Sequence, residues 1–125
     1  MNLKENSNIP IYLQIAKLIE DQILTKTIQE EEQVFSTNQL AKLFNINAAT
    51  ALKGLNVLID ENILYKKRGV GMFVRKGATE IVKKKRIKDF HDTYMKNMIS
   101  EVKKIGISKE ELVMMINEWD WSEER

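Results

Sequence analysis

Tyr65 to Val74 reads YKKRGVGMFV: three cations in a row, two glycines one residue apart, and an apolar close. Ammonium and guanidinium groups at that density hold anions, and glycine lets a backbone turn sharply or lie close against a surface. Between Asn62 and Lys88 ten lysines or arginines stand against a single acid, Glu80. That local balance of +9 within a net charge of +2 leaves −7 for the rest of the chain. Segregation of this kind suits a polyanionic partner, nucleic acid first, and is less readily explained by a solvated helix face.

Other chemistry is poorly supplied. The chain has no cysteine, which excludes disulfides and thiolate metal sites, and its one histidine, His91, cannot form an imidazole cluster. His91 is followed by Asp92, but adjacent positions on a helix are expected to point apart, and no third group completes an acid-base set. The three glutamates Glu30 to Glu32 lie in a stretch, Lys26 to Val34, without apolar period, and read as a solvated loop. No phosphate loop, nucleophile elbow or paired carboxylates are present, so neither an enzyme nor a cofactor or metal protein is expected. There is no apolar run of 18 residues and no signal-peptide pattern at MNLKENSN, which points to a cytoplasmic protein.

The elements that would carry the basic stretch can be read in order. From Ile9 to Thr25, Tyr12, Ile15, Ala16, Ile19 and Ile23 recur at helical intervals, with Pro10 in the first turn. Ser36 three residues before Gln39 is a capping box opening a second helix. Asn45, Ile46 and Asn47 separate it from a third helix, Ala48 to Asp60, which Asn47 caps. Two short helices joined this tightly form a helix-turn-helix. At 100° per residue the third helix gathers Ala51, Leu52, Leu55, Leu58 and Ile59 on a core side. Ala49, Thr50, Lys53, Asn56 and Asp60 fall on the other, a split that any surface helix can also show. Two β-prone runs, Ile63 to Lys66 and Met72 to Val74, then make a hairpin with Gly69 and Gly71 at its turn. A structural hairpin with lysine-guarded edges is the plainer alternative.

Beyond Ala78 two helices are expected. Ile81, Ile87, Phe90, Tyr94, Met98, Val102 and Ile105 form a stripe on a long one that Gly106 ends. Ser108 and Glu111 box the start of a short one bearing Leu112, Val113, Met115, Ile116 and Trp119. Two helices cannot bury a two-sided stripe alone, so a second copy is expected to cover it. The faces offered to it are Ile87, Phe90, Tyr94, Met98 and Val102 on the first helix, and Leu112, Met115, Ile116 and Trp119 on the second. Lysines 83 to 85 and Arg86 spread around the helix axis and read as a solvated first turn.

The series PIYLQIAKLIEDQIL followed by FSTNQLAKLFNINAATALKGLNVLIDENILYKKRGVGMFV resembles the winged helix-turn-helix domain of GntR-type bacterial regulators, over about Ile9 to Val74. The short helical remainder is similar to the YtrA-like subgroup. The resemblance implies a mainly α fold with a small β-hairpin wing. Residues 1–76 would form the DNA-binding domain and residues 77–125 a two-helix dimerisation hairpin. It further implies a homodimeric repressor on a palindromic operator, with ABC-transporter genes as targets and an effector left unidentified. By the same resemblance Ser36, Thr37 and Asn38 meet DNA from the second helix. Asn47, Ala48, Ala49, Thr50 and Lys53 do so from the third, and Lys67, Arg68, Gly69 and Gly71 from the wing. Asn38 and Ala48 replace arginines of other members and so cannot make bidentate guanine contacts. A winged-helix module that docks to protein instead is the alternative.

Overall fold

A computed structural model describes residues 3–5 and 7–122 and divides the chain into two compact units, one up to Lys85 and one from Arg86 onward. In the first unit α1 spans Ile11–Leu24, α2 Thr37–Phe44 and α3 Ala48–Asp60. β1, Leu64–Lys67, pairs antiparallel with β2, Gly71–Val74, so that Tyr65 faces Phe73 and Lys67 faces Gly71. α4, Ala78–Asp89, begins in this unit. Pro10 is the residue before α1 rather than a member of its first turn, and the strands lie within a residue of their expected bounds.

Local chemistry fixes the helix ends. Ser36 Oγ accepts from the Gln39 N–H at 3.1 Å while Gln39 Oε1 accepts from the Ser36 N–H at 2.8 Å, the reciprocal box foreseen above. Asn45 ends α2 in the left-handed conformation, φ 51°, which only a residue tolerant of that region can hold, and the chain turns there into α3. Ile15, Ile19 and Ile23 of α1 and Ala51, Leu55 and Leu58 of α3 are buried together with Ile63, Leu64, Val74, Ala78 and Val82. A fully buried Ile or Leu side chain contributes about 1.5–3 kcal/mol, so this cluster dominates the stability of the unit.

Four expectations are corrected or refined here. Leu52 is exposed and Gly54 is buried in its place, because α3 presses on α1 at the glycine and not at the leucine. Val82, not Ile81, carries α4 into the core. The stretch before Ser36 is a loop with Glu31 and Glu32 exposed, as expected, but it is not unattached. The Glu31 N–H donates to the Val74 carbonyl at 2.7 Å, the Val74 N–H to Glu32 at 2.9 Å and the Val34 N–H to Met72 at 2.9 Å, so it runs along the free edge of β2. Glu30 accepts from the Gly77 and Thr79 N–H groups at 2.9 and 3.2 Å and caps α4, and these bonds, Gly77 first, hold its carboxyl below the usual carboxylate pKa. Lys85 is likewise not a solvated lysine: it sits 2.6 Å from Glu20 of α1 and 2.8 Å from Glu61 after α3.

The expected long helix ends at Gly106 as read, but its winding changes part-way. After α4 comes a π-helical turn, Phe90–Met95, then α5, Lys96–Ile105, closed by Gly106 at φ 88°. α6, Lys109–Glu118, opens on the Ser108 and Glu111 box, and Trp119 lies just past its end. His91 Nδ1 and Asp92 Oδ1 are 3.1 Å apart, contrary to expectation, because π-helical winding turns successive side chains through a smaller angle than α-helical winding does. Lys88 reaches the same carboxylate at 2.7 Å and holds its pKa low.

Candidate nucleic-acid interface

α3 is two-faced. Ala51, Gly54, Leu55 and Leu58 are fully covered, whereas Asn47, Ala48, Ala49 and Lys53 are exposed and Thr50 is half-buried beside them. Asn47 Oδ1 accepts from the Ala49 N–H at 2.7 Å. That holds the Asn47 oxygen to the cap and leaves its amide donors to face outward chemistry. Ser36 is in the same position on α2: its oxygen accepts within the box, and its hydroxyl proton remains to give. Thr37 is half-buried and Asn38 exposed on the turn that follows. Lys53 rests its ammonium 4.2 Å above the Tyr12 ring of α1. At an exposed site such a contact is worth about 0.5–1 kcal/mol, less than a good base contact, so the ring can hold the ammonium in place and still release it.

The hairpin turn is built from Lys67, Arg68, Gly69 and Val70. The Val70 N–H donates to the Lys67 carbonyl at 3.0 Å, and Gly69 sits third in the turn at φ 76°, the position that type II turns reserve for glycine. All four residues are exposed, and the space where a Gly69 side chain would stand is empty, so glycine is required there by conformation alone. Lys67 lies 4.5 Å above the Phe73 ring, and Arg75 stacks 5.6 Å from Tyr65. Partial burial first, then the hydrogen bond from its hydroxyl to Glu31 at 3.1 Å, raises the Tyr65 pKa and keeps the phenol neutral.

Gly71 takes a positive φ, 144°, as the sequence allows, and a second reason adds to it. A side chain there would begin 2.5 Å from Nε2 of Gln33, so the close approach it permits is made by this chain's own glutamine. Gln33 pairs with Phe73 as an isolated bridge and donates to the Val70 carbonyl at 3.0 Å. Sequence reasoning missed it, and no local signal marks a glutamine whose partner is 37 residues away.

The second unit has no buried residue among those described. Ile87, Phe90, Tyr94, Met98, Met115, Ile116 and Trp119 are all exposed, Trp119 to 64%, and Val102 and Leu112 are half-buried. Phe90 and Tyr94 stack with ring centroids 6.4 Å apart. Among the described residues no group of histidine, aspartate and glutamate could hold a metal, and no helix is long and apolar enough to cross a membrane.

Residues 11–74, just over half the chain, match the family described as bacterial regulatory proteins, gntR family. The chain belongs to the GntR family. NagR of Bacillus subtilis (strain 168), an HTH-type transcriptional repressor, is 35% identical over 80 residues, which are 64% of this chain and 33% of that one. The chain spans about a third of the length of the curated relatives it matches. A GntR family transcriptional regulator from Listeria monocytogenes superposes with a TM-score of 0.74 at 27% identity, covering 92% of this chain and 99% of that one. The DNA-binding domain of AraR in complex with the operator ORE1 superposes with a TM-score of 0.52 at 26% identity, over 58% of this chain and 88% of that one. The helix-turn-helix and hairpin are therefore the winged-helix DNA-binding domain of a GntR regulator, and such regulators bind DNA rather than catalyse reactions.

Proposed function

We propose that this GntR-family chain is a sequence-specific repressor of the YtrA-like kind, binding a palindromic operator as a cytoplasmic homodimer, with ABC-transporter genes among its targets. The observation that carries the reading is the two-sidedness of α3. Its inner face is sealed in the core, and its outer face offers small and polar groups at the helix N-terminus, where recognition helices meet base edges. Asn47, Thr50 and Lys53 supply hydrogen-bonding groups there, and Ala48 and Ala49 supply apolar contact of the kind a thymine methyl takes. Ser36, Thr37 and Asn38 face phosphates from the start of α2. The wing adds sequence-independent affinity through Lys67 and Arg68, with Gly69 allowing the backbone close to the duplex. Bound across a promoter, such a dimer represses by occupying the site.

The second unit supports the dimer. A segment of helices that buries no described side chain of its own has apolar faces left to cover, and a second copy supplies matching faces by symmetry. Two recognition helices then enter successive major grooves, with half-sites about 10 bp apart centre to centre or a multiple of that. Selection of bound duplexes from a random pool, followed by footprinting, tests this directly. An inverted repeat at that spacing is the expected outcome, and a single non-repeated site bound by one subunit rejects it.

A further inference from the structure

We infer that Gln33 is a positioning residue for DNA binding: its amide fastens the wing turn so that Lys67 and Arg68 meet the phosphates in one fixed arrangement. The inference rests on the wing contact proposed above. Three independent features of the fold converge on it. The segment from Glu31 to Val34 hydrogen-bonds along the outer edge of β2, which sets Gln33 opposite Phe73. From there Nε2 donates to the carbonyl of Val70, the last residue of the turn, at 3.0 Å. Gly71 leaves room for that amide, since a β-carbon would stand 2.5 Å from it.

The turn needs such a fastening. Its closing hydrogen bond runs from the Val70 N–H to the Lys67 carbonyl, next to the Lys67–Gly71 ladder pair, and its four residues are exposed. A two-stranded hairpin of four-residue strands is marginal alone. Left with that closure only, the tip would sample orientations, and each would have to be frozen when DNA binds. The Gln33 amide removes part of that freedom beforehand. Being neutral, Gln33 contributes no counterion release itself, so any effect it has on the salt dependence of binding must pass through the cations of the tip.

That separation defines the test. Operator affinity of the full chain is titrated against salt for the wild type, Arg68→Ala, Gln33→Met and the double variant. Arg68→Ala should flatten the slope of log affinity on log salt by about 0.9. Gln33→Met should flatten it in the same direction and weaken binding at low salt by about five- to tenfold, while the protein keeps its cooperative unfolding. The double variant should bind within about twofold of Arg68→Ala, because the two changes act on one contact. Gln33→Asn, one methylene too short to reach Val70, should behave as Gln33→Met and serves if the methionine variant unfolds. A full wild-type slope for the Gln33 variants beside a flattened Arg68→Ala overturns the inference alone, as do additive losses in the double variant. A wild-type slope for Arg68→Ala overturns the wing contact, and the inference falls with it.

Discussion

At Gly54, α3 lies close against α1. A β-carbon there would stand 2.7 Å from the Tyr12 carbonyl oxygen and 3.0 Å from Cγ2 of Ile15. In an open helix, alanine would be favoured over glycine by about 1 kcal/mol. Here the nearest atom is a backbone oxygen, which cannot rotate away, so α1 and α3 must separate. Overpacking of that kind costs about 1–3 kcal/mol, which outweighs the propensity gain. Gly54→Ala should therefore lower the urea midpoint of unfolding. An unchanged or raised midpoint would mean that the helices slide apart without cost. The neighbouring Lys53 gains its perch above Tyr12 from the same close crossing, so one small residue serves both the core and the outward face of α3.

Among elements, α4 is tied to the first unit by two polar devices besides its buried Ala78 and Val82. Glu30 caps its start, and Lys85 bridges Glu20 and Glu61. Glu20 is only 2% exposed, so the ammonium facing it offsets a real desolvation cost. Burial alone would pull the Lys85 pKa down, but the hydrogen bonds and charges of the two glutamates outweigh it and hold the value above that of an ordinary lysine. Removing one member of a buried pair costs roughly 3–5 kcal/mol, and because a third of the Lys85 side chain remains in water, Lys85→Met should cost about 1–3 kcal/mol. A group whose pKa is raised on folding stabilises fully below its unfolded value, about 10.4, and loses that contribution as pH rises through the folded value. The stability gap between wild type and Lys85→Met should thus be constant at neutral pH and close only above about pH 10.4, as thermal unfolding across that range would show. What the sequence made legible divides along the same line. The Ser36 and Ser108 boxes, the Asn47 cap and the Gly106 stop have partners within a few residues, and each could be read from spacing. Glu30, Gln33 and Lys85 have partners 47, 37 and 65 residues away, and a run of glutamates or lysines looks the same whether or not the fold brings it something to hold. On the face proposed to meet DNA, residue types and order were legible, but the bond from Gln33 to the Val70 carbonyl and the seat of Lys53 over Tyr12 were not.

For the whole molecule the question is what covers the second unit. Its stripe from Ile87 through Phe90, Tyr94 and Met98 stands open, and so do Met115, Ile116 and Trp119. Contiguous apolar surface of that kind marks an interaction face, whereas the first unit encloses a core of its own. The two units should therefore respond differently to one substitution. Tyr94→Glu places a charge where the proposed partner copy must pack, and desolvating it unpaired is costly. In sedimentation at micromolar concentration the wild type should run as a dimer and this variant as a monomer, with the winged-helix unit still folded. The wild-type melting temperature should rise with protein concentration and that of the variant should not. Operator binding follows from linkage: two half-site contacts made by one particle exceed the affinity of each alone by about 10²–10⁴, and the variant forfeits that gain on the palindrome while keeping its affinity for a single half-site. A variant that still dimerises, or one that loses half-site binding equally, would place the interface elsewhere than on this stripe.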